Sequence, residues 1–429
     1  MNPIFQAYLA LGTSAVIPIW FASHASVKAP IVKKKKSSSK PSAGDSSSDE
    51  DEILERMTSE DAYWFPVIGS CVLLGLYLVF KYLDKDVINK IFAGYFTLMG
   101  VGALTKMLST ITKSLLGQEA WSKQTKYKFR LTRNTADVLF SFRFTDWHIA
   151  FLIISCFLSG LEWYTKQWML SNLFGLSFAF NAITLMKLDS FKTGTVLLGG
   201  LFIYDVWWVF GSSHAFGESV MVSVAKNLAA PVKIVWPRAL EDFFSRDQKK
   251  FAMLGLGDIV MPGIFVALSL RYDYKKAYDK LVKASTGPIN KAAILSPTHN
   301  FPRPYFYTCM SSYIVGLMTT MAVMHFFRAA QPALLYLSPA CTGSVLALAI
   351  IQGDTKEYWR WEDGEDDDKD EPKEKSSKDS KSSSSGNKDK RSIDDLKDGD
   401  DDEAWTSGGI SENGQKANLT SAGKQKNKK

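Results

Sequence analysis

Apolar residues in this chain come in long, nearly unbroken runs rather than in the alternating or three-to-four spacing of water-facing strands and helices. Nine runs stand out, at residues 2–22, 64–82, 88–111, 147–165, 168–187, 193–211, 251–270, 305–327 and 332–351. Each is about 20 residues long, enough for a helix rising 1.5 Å per residue to cross a hydrocarbon core of roughly 30 Å. The pattern predicts an all-α polytopic membrane protein with nine transmembrane helices. It also predicts an organisation: a first transmembrane helix over 1–23, a low-complexity loop over 24–63, a membrane core over 64–352 holding spans two to nine, and a disordered tail over 353–429.

Composition alone points elsewhere. A mean hydropathy of −0.07 and 22% charged residues describe an ordinary water-soluble chain. The charges are segregated, however, into 28–62, 113–143, 271–303 and the residues from Glu357 onward. Residues 36–52 and 357–429 are rich in Ser, Lys, Asp and Glu and hold too little apolar surface to offset the entropy of ordering. Within the first of these, Ser46 to Ser48 precede Asp49-Glu50-Asp51-Glu52, a context for acid-directed phosphorylation. No internal repeat marks a solenoid or an inverted-repeat transporter.

The net charge of +7 does not make a nucleic-acid-binding face, because the basic residues sit in loops flanking apolar runs. There they act as topology signals and lipid-headgroup contacts. The small-residue stretch Ala22-Ser23-His24-Ala25 could end a cleaved signal peptide. Yet no Lys or Arg precedes the first run, while Lys28 and Lys33 to Lys36 follow it, the order expected of a retained span with its N-terminus outside. The basic loops at 112–146 and 271–304 then fall in the cytosol, which gives a lumenal N-terminus and a cytosolic C-terminus. Cys71, Cys156, Cys309 and Cys341 lie in apolar runs and are expected to pack as small hydrophobes without a disulfide. The five histidines lack partners at metal-ligand spacing, so no metal site is expected.

Two spans carry a carboxylate near their middles: Asp205, in Tyr204-Asp205-Val206-Trp207-Trp208, and Asp258, in Gly255-Leu256-Gly257-Asp258. A charged carboxylate at mid-bilayer costs about 2.5–3.5 kcal/mol on insertion scales. A protonated Asp making one interhelical hydrogen bond, worth about 1 kcal/mol, is the structural explanation for either residue alone. For the pair, depth argues for joint action. Asp205 lies six residues before the end of its run and Asp258 seven after the start of the next, about 10 Å below the same surface on antiparallel neighbours. Apposed carboxylates hold a single proton between them near neutrality. The ionised member can activate water and the protonated one can donate to a carbonyl oxygen, roles that belong to the pair. That is aspartic peptide hydrolysis, and it needs no cofactor. Gly255 and Gly257 are expected to permit close packing and a locally unwound helix start, with Pro262-Gly263 one turn later.

The last span opens with Gln331-Pro332-Ala333-Leu334-Leu335-Tyr336-Leu337. Alone this is a proline-initiated helix. In order with Tyr204-Asp205 and Gly255-Leu256-Gly257-Asp258, over residues 60–352, it resembles the presenilin and signal peptide peptidase family of intramembrane aspartyl proteases. The fuller motif and the lumenal N-terminus are similar to the signal peptide peptidase branch. The resemblance implies that Asp205 and Asp258 are catalytic. It further implies that Tyr204, Gly255, Leu256, Gly257, Pro332, Ala333 and Leu334 support the site or bind substrate.

The substrates implied are leftover signal peptides and type II oriented transmembrane segments in the endoplasmic reticulum membrane. The partners implied are homo-oligomers and quality-control or ubiquitin-ligase proteins, with no nucleic acid. The terminal Lys426-Asn427-Lys428-Lys429 resembles a dilysine retrieval signal without its Lys at the third position from the end, and Asn418 is expected to be unglycosylated. The competing readings are a proton-coupled transporter using the paired Asp and a catalytically silent quality-control scaffold. Neither accounts for the glycine and Pro-Ala-Leu motifs together, and neither a His-Glu-x-x-His nor a Gly-x-Ser-Gly motif is present.

Overall fold

The computed structural model describes residues 3–27, 56–122, 126–132, 138–217, 219–228, 231–238, 251–284, 301–327 and 331–363. The Ser46–Glu52 cluster, Asn418 and the terminal lysines lie outside them. The long helices are α1 (Pro3–Ser26), α2 (Ser59–Tyr82), α3 (Lys85–Ser122), α4 (Asp146–Thr165), α5 (Trp168–Leu185) and α6 (Phe191–Val206). They continue with α9 (Gly257–Ala284), α10 (Pro304–Phe327) and α11 (Leu334–Gln352). Shorter pieces complete the set: α7 (Ser212–Phe216), α8 (Val220–Asn227) and α12 (Thr355–Arg360), with strand pairs β1 (Arg56–Met57) with β4 (Lys187–Leu188), β2 (Lys126–Thr132) with β3 (Val138–Thr145), and β5 (Lys233–Pro237) with β6 (Phe251–Gly255).

Eight helices among the described residues are long and apolar enough to cross a membrane. Their outward faces carry large apolar side chains such as Leu98, Phe157, Ile203 and Ile351, each more than 60% exposed. Such surfaces suit lipid and would associate in water. The ninth expected span, at 251–270, differs. Its first five residues are strand β6, and the helix that follows is enclosed by protein, every residue from Pro262 to Asp273 being buried. A helix screened from lipid can carry Ser269, Arg271 and Asp273, and α9 is accordingly not among the eight.

Close approach at three glycines draws the other helices onto α9 and α6. A Cβ at Gly263 would lie 2.6 Å from Ile183 of α5, one at Gly194 2.6 Å from the Phe265 ring, and one at Gly200 2.8 Å from Pro66 of α2. Small residues at these crossings let backbones meet where no hydrophobic force drives helices together in lipid.

Two boundaries shift from expectation. The core begins at Ser59 rather than 64, because Thr58 and Asp61 form a reciprocal capping box at the start of α2. It also extends beyond 352 into the segment expected to be disordered. There Asp354 pairs with Lys276 of α9, and Asp363 accepts from Arg271 Nε at 2.6 Å. Tyr358 of α12 stacks on Phe191 at 4.2 Å between ring centroids. Phe191, Phe265, Tyr272, Tyr305 and Tyr358 pack edge and face into one aromatic layer at this end of the bundle, each at most 1% exposed. The aromatic residues of 358–361 explain the difference, since they bury apolar area that the flanking Lys, Asp and Glu cannot. All four cysteines are free; Cys309 and Cys341 are buried between α10 and α11, and Cys71 and Cys156 are exposed.

Candidate active site

Three chain segments meet at the far end of α6 from that aromatic layer. Asp205 stands 14 residues along α6, about 21 Å from its start. It is buried, at 2% exposure, and its Oδ2 accepts the main-chain N–H of Leu334 at 3.2 Å. That amide is one of the four that a helix start leaves without an internal partner. The Pro332-Ala333-Leu334 turn thus presents a main-chain donor to the carboxylate, with Pro332, Ala333 and Leu334 all buried. Directly after Asp205 the helix widens into a π turn over Trp207–Gly211, where Trp208 Nε1 donates to Ser70 of α2 at 3.0 Å. A π turn inserts a residue and redirects the side chains beyond it.

Asp258 is the second residue of α9. The depth match with Asp205 therefore does not arise from two helices, as the apolar runs suggested. Chain rising as strand β6 delivers Asp258 to its position, and the helix begins only there. The Asp258 carboxylate accepts the Gly255 N–H and lies within electrostatic reach of Asp205. A Cβ at Gly255 would stand 3.2 Å from Asp258 Oδ2, so this glycine leaves room for the carboxylate to fold back on the strand. From α10, the buried Tyr313 hydroxyl donates to the Asp258 main-chain carbonyl at 3.4 Å.

The remaining expected residues take other places. Tyr204 turns toward α2, its ring 3.6 Å from where a Cβ on Gly69 would sit. Leu256 packs beneath Gly175 of α5, and its carbonyl accepts the first amides of α9, from Ile259 at 3.1 Å and Val260 at 2.8 Å. Gly257 faces open space instead of the close packing expected of it.

The hairpin of β5 and β6 went unrecognised in the apolar pattern. It pairs antiparallel, Val235 opposite Met253 and Lys233 opposite Gly255. Asn172 of α5 donates from Nδ2 to the Val235 carbonyl at 2.7 Å and accepts the Val235 N–H at 2.9 Å. One side-chain amide therefore occupies the outer edge of β5 as a neighbouring strand would. Antiparallel pairs alternate in the direction of their main-chain groups. Val235 points away from β6, so Met253 and Gly255 point away from β5, the Gly255 N–H toward Asp258 and the Met253 groups along the free edge. Nothing distinguishes Asn172 from Asn181, the other Asn of this apolar helix, in a way that announces this role. The β-branched and aromatic run Ile234-Val235-Trp236 was the available signal for β5. Among the described residues, no group of three or more His, Cys, Asp or Glu is placed to hold a metal.

The family model described as signal peptide peptidase matches residues 48–365. The signal peptide peptidase of Homo sapiens is 36% identical over 363 residues, covering 84% of each chain, and that of Mus musculus is 37% identical over 364 residues with the same coverage. Intramembrane protease 2 of Caenorhabditis elegans is 38% identical over 247 residues, 57% of this chain and 47% of that one. All three sequence motifs fall inside the matched region, and this polytopic chain belongs to the signal peptide peptidase family of intramembrane proteases.

Proposed function

We propose that the chain is an aspartic endopeptidase that hydrolyses peptide bonds within transmembrane segments, with Asp205 and Asp258 as the catalytic pair. The observation that carries the proposal is the meeting of three sequence-distant motifs: two carboxylates in electrostatic reach, one held by the Leu334 amide and the other by the Gly255 amide. Neither amide can release a proton at working pH, so each orients a carboxylate oxygen without competing in proton transfer. The pair shares one proton. Its ionised member takes a proton from water as the water oxygen bonds to the scissile carbonyl carbon. Its protonated member donates to the carbonyl oxygen. Collapse of the tetrahedral adduct then breaks the C–N bond and passes a proton to the leaving amine. No cofactor enters.

A substrate helix must unwind first, because its carbonyls are internally bonded. With Asn172 on the edge of β5, the free edge of β6 is the one available for backbone addition by the unwound segment. That edge leads into Gly257-Asp258, which brings an added strand to the carboxylates. Tyr204, Leu256, Pro332 and Ala333 support this arrangement, and Gly257 opens the helix that carries Asp258. Signal-peptide remnants and type II oriented segments of the endoplasmic reticulum membrane are the substrate class. The N-terminus is lumenal and the C-terminus cytosolic, and homo-oligomers and quality-control or ubiquitin-ligase proteins are the partners.

The test uses purified full-length protein in detergent and a labelled signal-peptide substrate. Asp205→Asn and Asp258→Asn are each expected to abolish cleavage while leaving the thermal midpoint near that of the parent. Cleavage persisting in both variants would overturn the assignment.

A further inference from the structure

At the opposite end of α6 from the carboxylates lies an open cleft, about 470 Å³, lined by Lys192, Lys356, Trp359, Arg360 and Glu362. Three cations face one anion. Lys192, Lys356 and Arg360 are exposed, and none of them forms an ion pair or a hydrogen bond with another described residue. This contrasts with Arg271 and Lys276 of α9, which are committed to Asp363 and Asp354 respectively. Three cations around a single carboxylate leave an excess of positive charge, and a second anion entering the cleft relieves it.

Position narrows the class of anion. Lys192 is the second residue of α6, which with the π turn and α7 makes one apolar stretch from Phe191 to Phe216, and α12 begins at Thr355, just after α11 ends at Gln352. The cleft therefore sits where two membrane-crossing helices reach water, at the depth of lipid phosphates. Trp359 is half-buried against the core there, the place where Trp concentrates at membrane surfaces. The first turn of α6, capped by Ser190 at the Thr193 amide, adds the positive end of its dipole beside Lys192. The volume is within the range that holds a small ligand.

We propose that this cleft is a binding site for a phosphomonoester-bearing group, the chemistry of an anionic lipid headgroup or a free organic phosphate. Lys192 and Lys356 neutralise its charge, Arg360 takes two of its oxygens through the guanidinium fork, and Trp359 covers the carbon skeleton. Because α12 docks on Phe191, occupancy ties the end of the membrane core to the start of the helix that carries Asp205. The site stands apart from the catalytic proposal and does not depend on it.

Native mass spectrometry of the full chain in detergent reads the binding directly. The probes are a short-chain phosphatidylinositol monophosphate, the matching phosphatidylcholine and the free inositol bisphosphate headgroup. The expected result is retention of the monophosphate lipid over phosphatidylcholine, weakened by at least about tenfold in the Lys192→Gln/Lys356→Gln/Arg360→Gln variant. A control variant, Lys280→Gln at an exposed position near the end of α9, should bind as the parent does. Retention of the lipid but not the free headgroup names a lipid source, and equal retention names a free phosphate. Undiminished binding in the triple variant, with its thermal midpoint kept, would overturn the site. So would binding that appears only after the acidic run Glu365–Glu371 is neutralised, since the cleft would then belong to the chain's own tail.

Discussion

At the scale of single residues, Asp205 and Asp258 were legible because an ionisable side chain in an apolar run is costly enough to demand a reason. What holds them was not legible. The donors are main-chain amides of Leu334 and Gly255, which leave no mark on residue identity. The two glycines before Asp258 looked alike in the sequence, and the structure separates them. Gly255→Ala places a Cβ 3.2 Å from Asp258 Oδ2, closer than nearly all real Cβ contacts, so the carboxylate must shift. We expect kcat to fall by about ten- to a hundredfold with little change in thermal midpoint, because small displacements of reacting groups are costly. Gly257→Ala meets nothing within 4 Å and should keep kcat within a few-fold of the parent. Equal losses in both variants would show that helix-start flexibility, not room for the carboxylate, is the requirement.

At the scale of elements, the long helices declared themselves through length and hydropathy, and most of their ends fell within a few residues of expectation. The misses share one physical cause. Residues 251–255 are apolar because protein, not lipid, packs on them, and Tyr358 and Trp361 are buried by protein within a stretch too charged to look apolar; hydropathy registers neither case. Phe251-Ala252-Met253-Leu254 thus looked like the start of a helix although it is a strand, and its pairing partner lies beyond a long polar connection. Asn172 fixes that hairpin to α5. Asn172→Leu keeps the volume and strips both hydrogen bonds, leaving the buried-edge N–H and C=O of Val235 unmatched at a cost of about 1–3 kcal/mol. Hydrogen exchange over 233–237 should quicken and KM should rise more than kcat falls, since the hairpin leads into Asp258 and holds neither carboxylate of the proposed pair. Unchanged exchange with full activity would remove Asn172 from this role.

At the scale of the whole molecule, the segment after α11 is part of the core and not the beginning of a tail. Arg271 reaches from the buried interior of α9 to Asp363, to Ser26 at 3.4 Å and to the Leu188 carbonyl at 3.5 Å, joining α1, β4 and the C-terminal segment. Asp363→Asn should lower stability by about 1–3 kcal/mol, because Arg271 is only 6% exposed and loses its counter-charge. A denaturation series in detergent checks this, and a midpoint equal to the parent's would relegate the pair to decoration. Beneath that junction lies the layer of Phe191, Phe265, Tyr272, Tyr305 and Tyr358, about 21 Å along α6 from Asp205. A hydrolase inside a bilayer must wet its reaction centre without becoming a conductor. Five closely packed rings, each at most 1% exposed, keep that end of the bundle dry, so water is expected to reach the carboxylates from the other end.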